Sequence, residues 1–479
     1  MNQSDYDQQD AVGLANLIRR GEISAAEALE AALSRAEAIN GDINAITFSM
    51  ATEARSLVQG GGPAGGLGGV PFLLKDLSAQ AAGTPTSAGS RLFANLNYPA
   101  DNAIVEAYRR AGLVIFGKTN TPEFGLEPVT EPERLGPSRN PWNLDRTPGG
   151  SSGGAAAAVA AGIVPAAHSS DGGGSIRIPA SCCGLFGMKP SRGRVSLAPA
   201  DEGWGGFSIQ HAVTRSVRDS AVLLDVISTP QPGDPYWAPP PARPFAEEVT
   251  RDPGKLKIAV SLESIAGPGL DPQCAEAVRD AARLCESLGH IVEDVTLGWD
   301  YGPVQEAGGL IIAANIATLL DTEALRRGRA IAEDEVEALT LGIYERGRQI
   351  TAPQYIKALQ IAHAFGRRAA QAFRHFDVLL TSTLGSPPVP VGWLRGGPPD
   401  RYMERLLTFM PNTQPFNVSG QPAMTVPLAW SVEGLPIGIQ FVGQGADEAM
   451  LFRLAGQLEK AAPWAHRRPG PVRSVTSGR

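Results

Sequence analysis

The chain is short of the residues that several function classes need. Among 479 residues it has four cysteines and six histidines, its aromatic content is 6%, and it carries no positive excess. Cys182 and Cys183 are adjacent, which makes them a poor disulfide pair, and with Cys274 and Cys285 they give no CxxC spacing for zinc. They read as reduced, partly buried thiols of a cytoplasmic protein, with Cys182 and Cys183 in a packing role. The histidines are scattered and no acidic cluster has ligand spacing, so no metal and no other cofactor is expected. A net charge of −7 and a pI near 5.6 give no basic footprint for nucleic acid or for an anionic membrane. No stretch approaches about 18 uninterrupted apolar residues, so no membrane span is implied. Residues 1–10 are polar and acidic and do not read as a secretion signal. Length alone suggests about three domains. The composition, 43% apolar and 19% charged, argues instead for one large globular unit.

Glycine is abundant, and it is concentrated. Thr147-Pro-Gly-Gly-Ser-Ser-Gly-Gly154 and Ser170-Asp-Gly-Gly-Gly-Ser-Ile-Arg-Ile-Pro179 bracket an alanine-rich helix expected over 153–162. Glycine admits backbone angles closed to other residues and lets a ligand approach the main chain. Each loop holds a serine hydroxyl as its reactive candidate. The alternative is two ordinary tight turns around a surface helix.

Ser24 to Glu27 forms a capping box before an apolar-periodic helix through 39, with a shorter helix over 11–20 ahead of it. Strands are expected over 44–48, 70–77, 113–117, 164–168, 255–262, 291–295 and 376–383. Helices are expected at 101–111, capped by Asp101, and over 217–228, 271–288 and 446–461. The stretches 424–430 and 437–442 read as a hairpin. Pro230 to Pro244, with seven prolines, is a surface crossover. The tail from Pro463, carrying Arg467, Arg468, Arg473 and Arg479, reads as frayed. This alternation gives an α/β fold: a large mixed β-sheet covered by helices on both sides. One domain over 1–479 is expected, with N-terminal helices in 1–60 packing on it and a helical insertion or lid over about 303–372.

The strand over 70–77 delivers Lys75 to its end. Lysine in an apolar run is either functional and paired or a snorkelling side chain. Two familiar patterns do not hold up. Gly112-Leu-Val-Ile-Phe-Gly-Lys-Thr119 fits the phosphate-loop spacing, but its middle residues are themselves a strand and no helix follows. Gly150-Ser-Ser-Gly-Gly154 fits the nucleophile elbow, but no strand precedes it. The downstream histidines, His290, His363, His375 and His466, sit in undistinctive contexts for a Ser-His-Asp hydrolase.

Three blocks, Gly149-Gly-Ser-Ser-Gly-Gly154, Asp171-Gly-Gly-Gly-Ser-Ile-Arg-Ile-Pro179 and Gly187-Met-Lys-Pro-Ser-Arg-Gly-Arg-Val195, together resemble the amidase signature family. The resemblance extends to Pro71-Phe-Leu-Leu-Lys-Asp76, Gly117-Lys-Thr-Asn-Thr-Pro122 and Pro415-Phe-Asn-Val-Ser-Gly-Gln-Pro422. Thr130-Glu-Pro-Glu and Arg139-Asn-Pro-Trp-Asn143 are most similar to the 6-aminohexanoate cyclic dimer hydrolase, aryl-amide and carbamate hydrolase branch. The resemblance implies an amidohydrolase in which Ser175 is the nucleophile, Ser151 the bridging serine after a cis peptide bond, and Lys75 the base. It places Gly125 and Leu126 near the acyl pocket. It implies a small-molecule amide or carbamate substrate, with esters also open, no nucleic acid and no membrane, and it leaves a homodimer open. Two departures stand out. Gly172 occupies a position where the family often has a larger residue, which predicts a looser loop or wider pocket. Ser191 stands where threonine is common.

These residue types suit amide chemistry. An amide needs an activated nucleophile, a home for the oxyanion and a proton for the departing nitrogen. Burial lowers a lysine's pKa from about 10.4 and makes it a usable base. A serine hydroxyl both accepts and donates, so Ser151 can relay the proton. The N–H groups of Gly172, Gly173 and Gly174 can form an oxyanion nest. Asp171 either orients that turn or simply forms it. Trp204 and Phe207 are either a pocket wall or core. The competing readings are the A subunit of a tRNA-dependent amidotransferase and a silent scaffold.

Overall fold

The computed structural model describes residues 1–200 and 202–470. Eleven strands form its single sheet: β1 (Ile46–Ser49), β2 (Pro71–Lys75), β3 (Val114–Thr119), β4 (Ala166–Asp171), β5 (Phe186–Lys189), β6 (Ile209–Thr214), β7 (Lys257–Val260), β8 (Ile291–Asp294), β9 (Val378–Ser382), β10 (Ala423–Trp430) and β11 (Pro436–Val442). Their order is β1-β3-β2-β4-β6-β5-β10-β11-β9-β7-β8. The β2 strand runs parallel to β3 and β4, and β7 runs parallel to β8 and β9, while the other pairings are antiparallel. The sheet is therefore mixed, as expected, and it belongs to one domain.

Every residue of β2 is buried, because parallel strands covered by helices on both faces have no solvent side. The capping box forms as read: Ser24 Oγ accepts from the Glu27 N–H at 3.1 Å and the Glu27 carboxylate accepts from the Ser24 N–H at 2.8 Å. It starts helix Ala25–Ile43. Helix Gly153–Ala160 is buried along its whole length, so the surface-helix alternative fails. Its small residues are needed for contact: a side chain at Gly154 would run into the Asn120 and Ala45 backbones, at 2.5 and 2.6 Å. The glycine density of this first loop thus serves packing.

Three expectations are corrected. Asn102, not Asp101, caps helix Ala103–Arg110; Asp101 instead accepts from the Ala82 N–H and pairs with Arg109. The tail is docked through its described part. Trp464 is buried and donates to the Arg215 carbonyl at 2.8 Å, Arg467 lies 4.1 Å from the Trp430 ring centroid, and Arg468 donates to the Asp7 carbonyl. Arg473 and Arg479 lie outside the described residues. The strand expected over 164–168 runs instead to Asp171, which carries Ser170 into the site.

Region 303–372 folds as helices Gly302–Arg327, Ala338–Arg348 and Ala352–Ala372. The first is long and apolar enough to span a bilayer, yet Val304, Ile311, Ile316 and Leu320 on it are buried within the fold.

Candidate active site

Lys75 ends β2 with its side chain fully buried. Its Nζ donates to Ser151 Oγ at 2.7 Å and to Ser170 Oγ at 3.0 Å. Burial lowers its pKa from 10.5 to about 7, and the charge of Asp171 only partly opposes this. The snorkelling alternative is excluded, since the amine meets two hydroxyls rather than water. Ser151 is itself buried and follows a cis Gly150–Ser151 peptide bond.

Two positioning contacts were not anticipated from the sequence. Ser170 was missed because the expected strand stopped at His168. His168 accepts from the Lys75 backbone N–H through Nδ1 at 3.3 Å, while its Nε2 lies 2.9 Å from the Gln210 amide oxygen. Burial pushes the His168 pKa down to about 3, so the imidazole stays neutral beside the lysine. A buried histidine within a strand carries no sequence mark that distinguishes it from a core residue.

Ser175, half-buried, opens the second glycine loop onto a cavity of about 280 Å³. Gly125, Leu126, Gly172, Gly173 and Trp204 share its lining. Gly174 sits deeper, against Thr413 and Ile178. Among the described residues the N–H groups of Gly172, Gly173, Gly174 and Ser175 donate to no protein acceptor. Among the described residues no hydrogen bond joins Ser151 to Ser175.

The loop's shape is fixed from behind. Asp171 and Arg177 are fully buried, with Arg177 Nε 2.9 Å and Nη2 3.0 Å from the two carboxylate oxygens. The Ile176 N–H donates to Asp171 Oδ2 at 3.2 Å, so the carboxylate reaches across the whole glycine turn. Asn417 Nδ2 donates to Asp171 Oδ1 at 2.8 Å and to the Asp171 carbonyl at 2.9 Å. Burial pushes the Asp171 pKa up, but the Arg177 charge and hydrogen bonds, with Lys189 and Asn417, outweigh it and hold the value near 2. Asp171 thus orients the turn through a buried ion pair, which goes beyond turn formation.

The extra glycine does not loosen the loop. A Cβ at Gly172 would lie 2.8 Å from the Trp204 indole, which occupies the room a larger side chain would take. Trp204 is cavity wall, whereas Phe207 is core, packed in a cluster with Val304, Ile311 and Phe365. Outside the loop, Lys118 of the phosphate-loop lookalike lies on β3 and bonds the Pro85 carbonyl and Thr86. None of His290, His363, His375 and His466 lines the cavity. Among the described residues no group of histidine, cysteine, aspartate and glutamate is arranged to hold a metal.

Residues 27–452 match the protein family described as Amidase. The 6-aminohexanoate-cyclic-dimer hydrolase of Paenarthrobacter ureafaciens is 38% identical over 484 aligned residues, covering 96% of this chain and 96% of that protein. The solved structure of 6-aminohexanoate cyclic dimer hydrolase complexed with substrate is similar with a TM-score of 0.92 at 37% identity, covering 97% of this chain and 99% of the other. A bacterial aryl acylamidase of the amidase signature enzymes is similar with a TM-score of 0.87 at 29% identity, covering 95% of this chain and 97% of the other.

Proposed function

We propose, for a chain that belongs to the amidase signature family and hydrolyses amide C–N bonds, that Ser175 attacks the amide carbonyl, with Ser151 and Lys75 as its proton relay. The observation that carries this reading is the buried Lys75 amine at 2.7 Å from Ser151 Oγ, with its pKa near 7. A neutral amine at neutral pH is a base; an ammonium is not.

The steps follow from the groups present. Lys75 takes the Ser151 proton as Ser151 takes that of Ser175, and Ser175 Oγ bonds to the carbonyl carbon. The developing oxyanion is held by the free N–H groups of the Gly172–Ser175 turn, which have no competing protein acceptor among the described residues. The relay then runs backwards: the proton reaches the departing nitrogen, the C–N bond breaks and an acyl-enzyme remains. Water, deprotonated by the same relay, releases the acid.

The cavity lined by Leu126, Ile312 and Leu406 supports apolar acyl or aryl groups. The names of the similar proteins, a cyclic dimer hydrolase and an aryl acylamidase, support small linear, cyclic and aryl amides as substrates. Carbamates and esters offer the same carbonyl to the same nucleophile and belong to the proposal.

The test uses a fluorophosphonate probe and an anilide. Wild-type protein should be labelled at Ser175, found by peptide mass mapping. Ser175→Ala, Ser151→Ala and Lys75→Ala should each lower kcat by about a thousandfold or more, with circular dichroism unchanged. Wild-type turnover surviving in Ser175→Ala would refute the assignment.

A further inference from the structure

The cavity that Ser175 opens onto is apolar for most of its wall, and two of its lining residues carry charge: Glu127 and Arg346. Their situations differ. The Glu127 carboxylate is buried and partnered: Arg395 forks onto both its oxygens while also pairing with Glu337, and Tyr402 Oη donates to Oε1 at 3.1 Å. Arg346 is exposed at the cavity, and among the described residues it forms no ion pair and no side-chain hydrogen bond. Of the two, Arg346 is the one whose charge has no protein partner among the described residues.

A basic residue in the last turn of a helix can simply oppose the helix dipole. Arg346 is in the last turn of helix Ala338–Arg348, but Arg348 is in the same turn. Arg348 has found protein partners, with Asp321 at 3.8 Å and the Tyr344 ring centroid at 5.7 Å. Arg346 has not, and it lies where a ligand would reach it. A guanidinium presents a planar fork of donors that fits a carboxylate with two parallel hydrogen bonds.

Leu126, Ser175 and Arg346 line the same cavity, so an acyl arm on Ser175 that lies along its apolar wall comes within reach of the guanidinium. We propose that Arg346 selects amides whose acyl arm is apolar along its length and ends in a carboxylate. The inference rests on the Ser175 reading and adds a substrate class to it.

Three 4-nitroanilides of matched length test it: those of hexanoic acid, of hexanedioic acid as the monoamide, and of 6-aminohexanoic acid. Wild-type kcat/KM should favour the carboxylate arm over the neutral arm by about two- to fivefold, the span of an exposed ion pair, with the gain in KM. The ammonium arm should be the poorest of the three. In Arg346→Gln the carboxylate-to-neutral ratio should fall to near one, and in Arg346→Glu the order of the two charged arms should reverse. Raising salt should shrink the wild-type ratio. A wild-type ratio near one overturns the proposal, as does a preference that persists in Arg346→Gln. Both results leave the Ser175 reading standing, because that reading is tested by turnover of the neutral anilide and its loss in Ser175→Ala. Wild-type protein inert on all three would sink both.

Discussion

Lys75 places a testable number on the chemistry. A lysine whose folded pKa is depressed from 10.5 to about 7 by burial is protonated below that value and neutral above it. If the neutral amine is the base, kcat/KM should rise roughly tenfold from pH 6 to pH 8, be half-maximal near pH 7 and level off above. A profile flat across that range, or one still climbing at pH 10, removes Lys75 as the base. Ser170 gives a second test. Its hydroxyl accepts from the lysine amine at 3.0 Å, which favours the ammonium. Ser170→Ala should therefore shift the midpoint of the pH profile to lower pH. It should also lower the plateau by roughly ten- to a hundredfold, through a misplaced amine. Ser170→Thr keeps the hydroxyl and should restore both. An unmoved midpoint in Ser170→Ala would make that hydroxyl mere packing. Lys75, Ser151 and Ser175 stood out as candidates because each stands in a block whose residue types are unusual together, and the structure brings the first two into contact. Ser170 and His168 did not, since their partners come from β2, distant in sequence.

At the level of elements, the long amphipathic helices, the apolar buried strands and the central β10–β11 hairpin were legible, whereas a buried strand carrying polar residues was not. The β6 strand, Ile-Gln-His-Ala-Val-Thr, is wholly buried, yet its Gln210 and His211 break any apolar pattern. Gln210 meets His168, and His211 meets Ser220 through its Nε2, partners that only the assembled sheet reveals. The glycine turn after β4 raises the same question of cause. Its expected orienter, Asp171, is locked to Arg177 with neither side chain exposed to water. Asparagine is as good a turn-former as aspartate but carries no charge. Asp171→Asn should therefore destabilise the protein by about 3–5 kcal/mol, by leaving the Arg177 charge buried without a counterion. The readout is the urea midpoint. It should also abolish turnover, because the turn carries Ser175. A midpoint unchanged from wild type would return Asp171 to the role of turn-former.

The order of the whole sheet holds a further consequence. The strands β1 to β6 occupy one contiguous half and β7 to β11 the other, and among the described residues the strand pairing that joins them is β5 with β10, from Lys189↔Ala423 to Gly187↔Thr425. The proline-rich crossover between 230 and 244 joins the two halves in sequence. The sequence reading of one domain over 1–479 then makes a claim about cooperativity: neither half should be stable alone. In isolation β5 would be an open edge of buried, mainly apolar residues, Phe186 to Lys189, and such edges aggregate. The ties across the seam run into the site itself. Arg177, from the first half, is held by Gln440 at 2.8 Å and Asn417 at 2.6 Å, and Thr413 donates to the Gly173 carbonyl at 2.7 Å, all from the second. Breaking the chain between Pro232 and Gly233, both exposed, should therefore leave a working enzyme when the two pieces are co-expressed. The pieces should co-purify, unfold in one calorimetric transition and retain anilide turnover, while each piece expressed alone should be insoluble and inactive. A soluble first half that takes the fluorophosphonate label at Ser175 unaided would show that the seam contributes nothing to the site, and that the molecule is two domains rather than one.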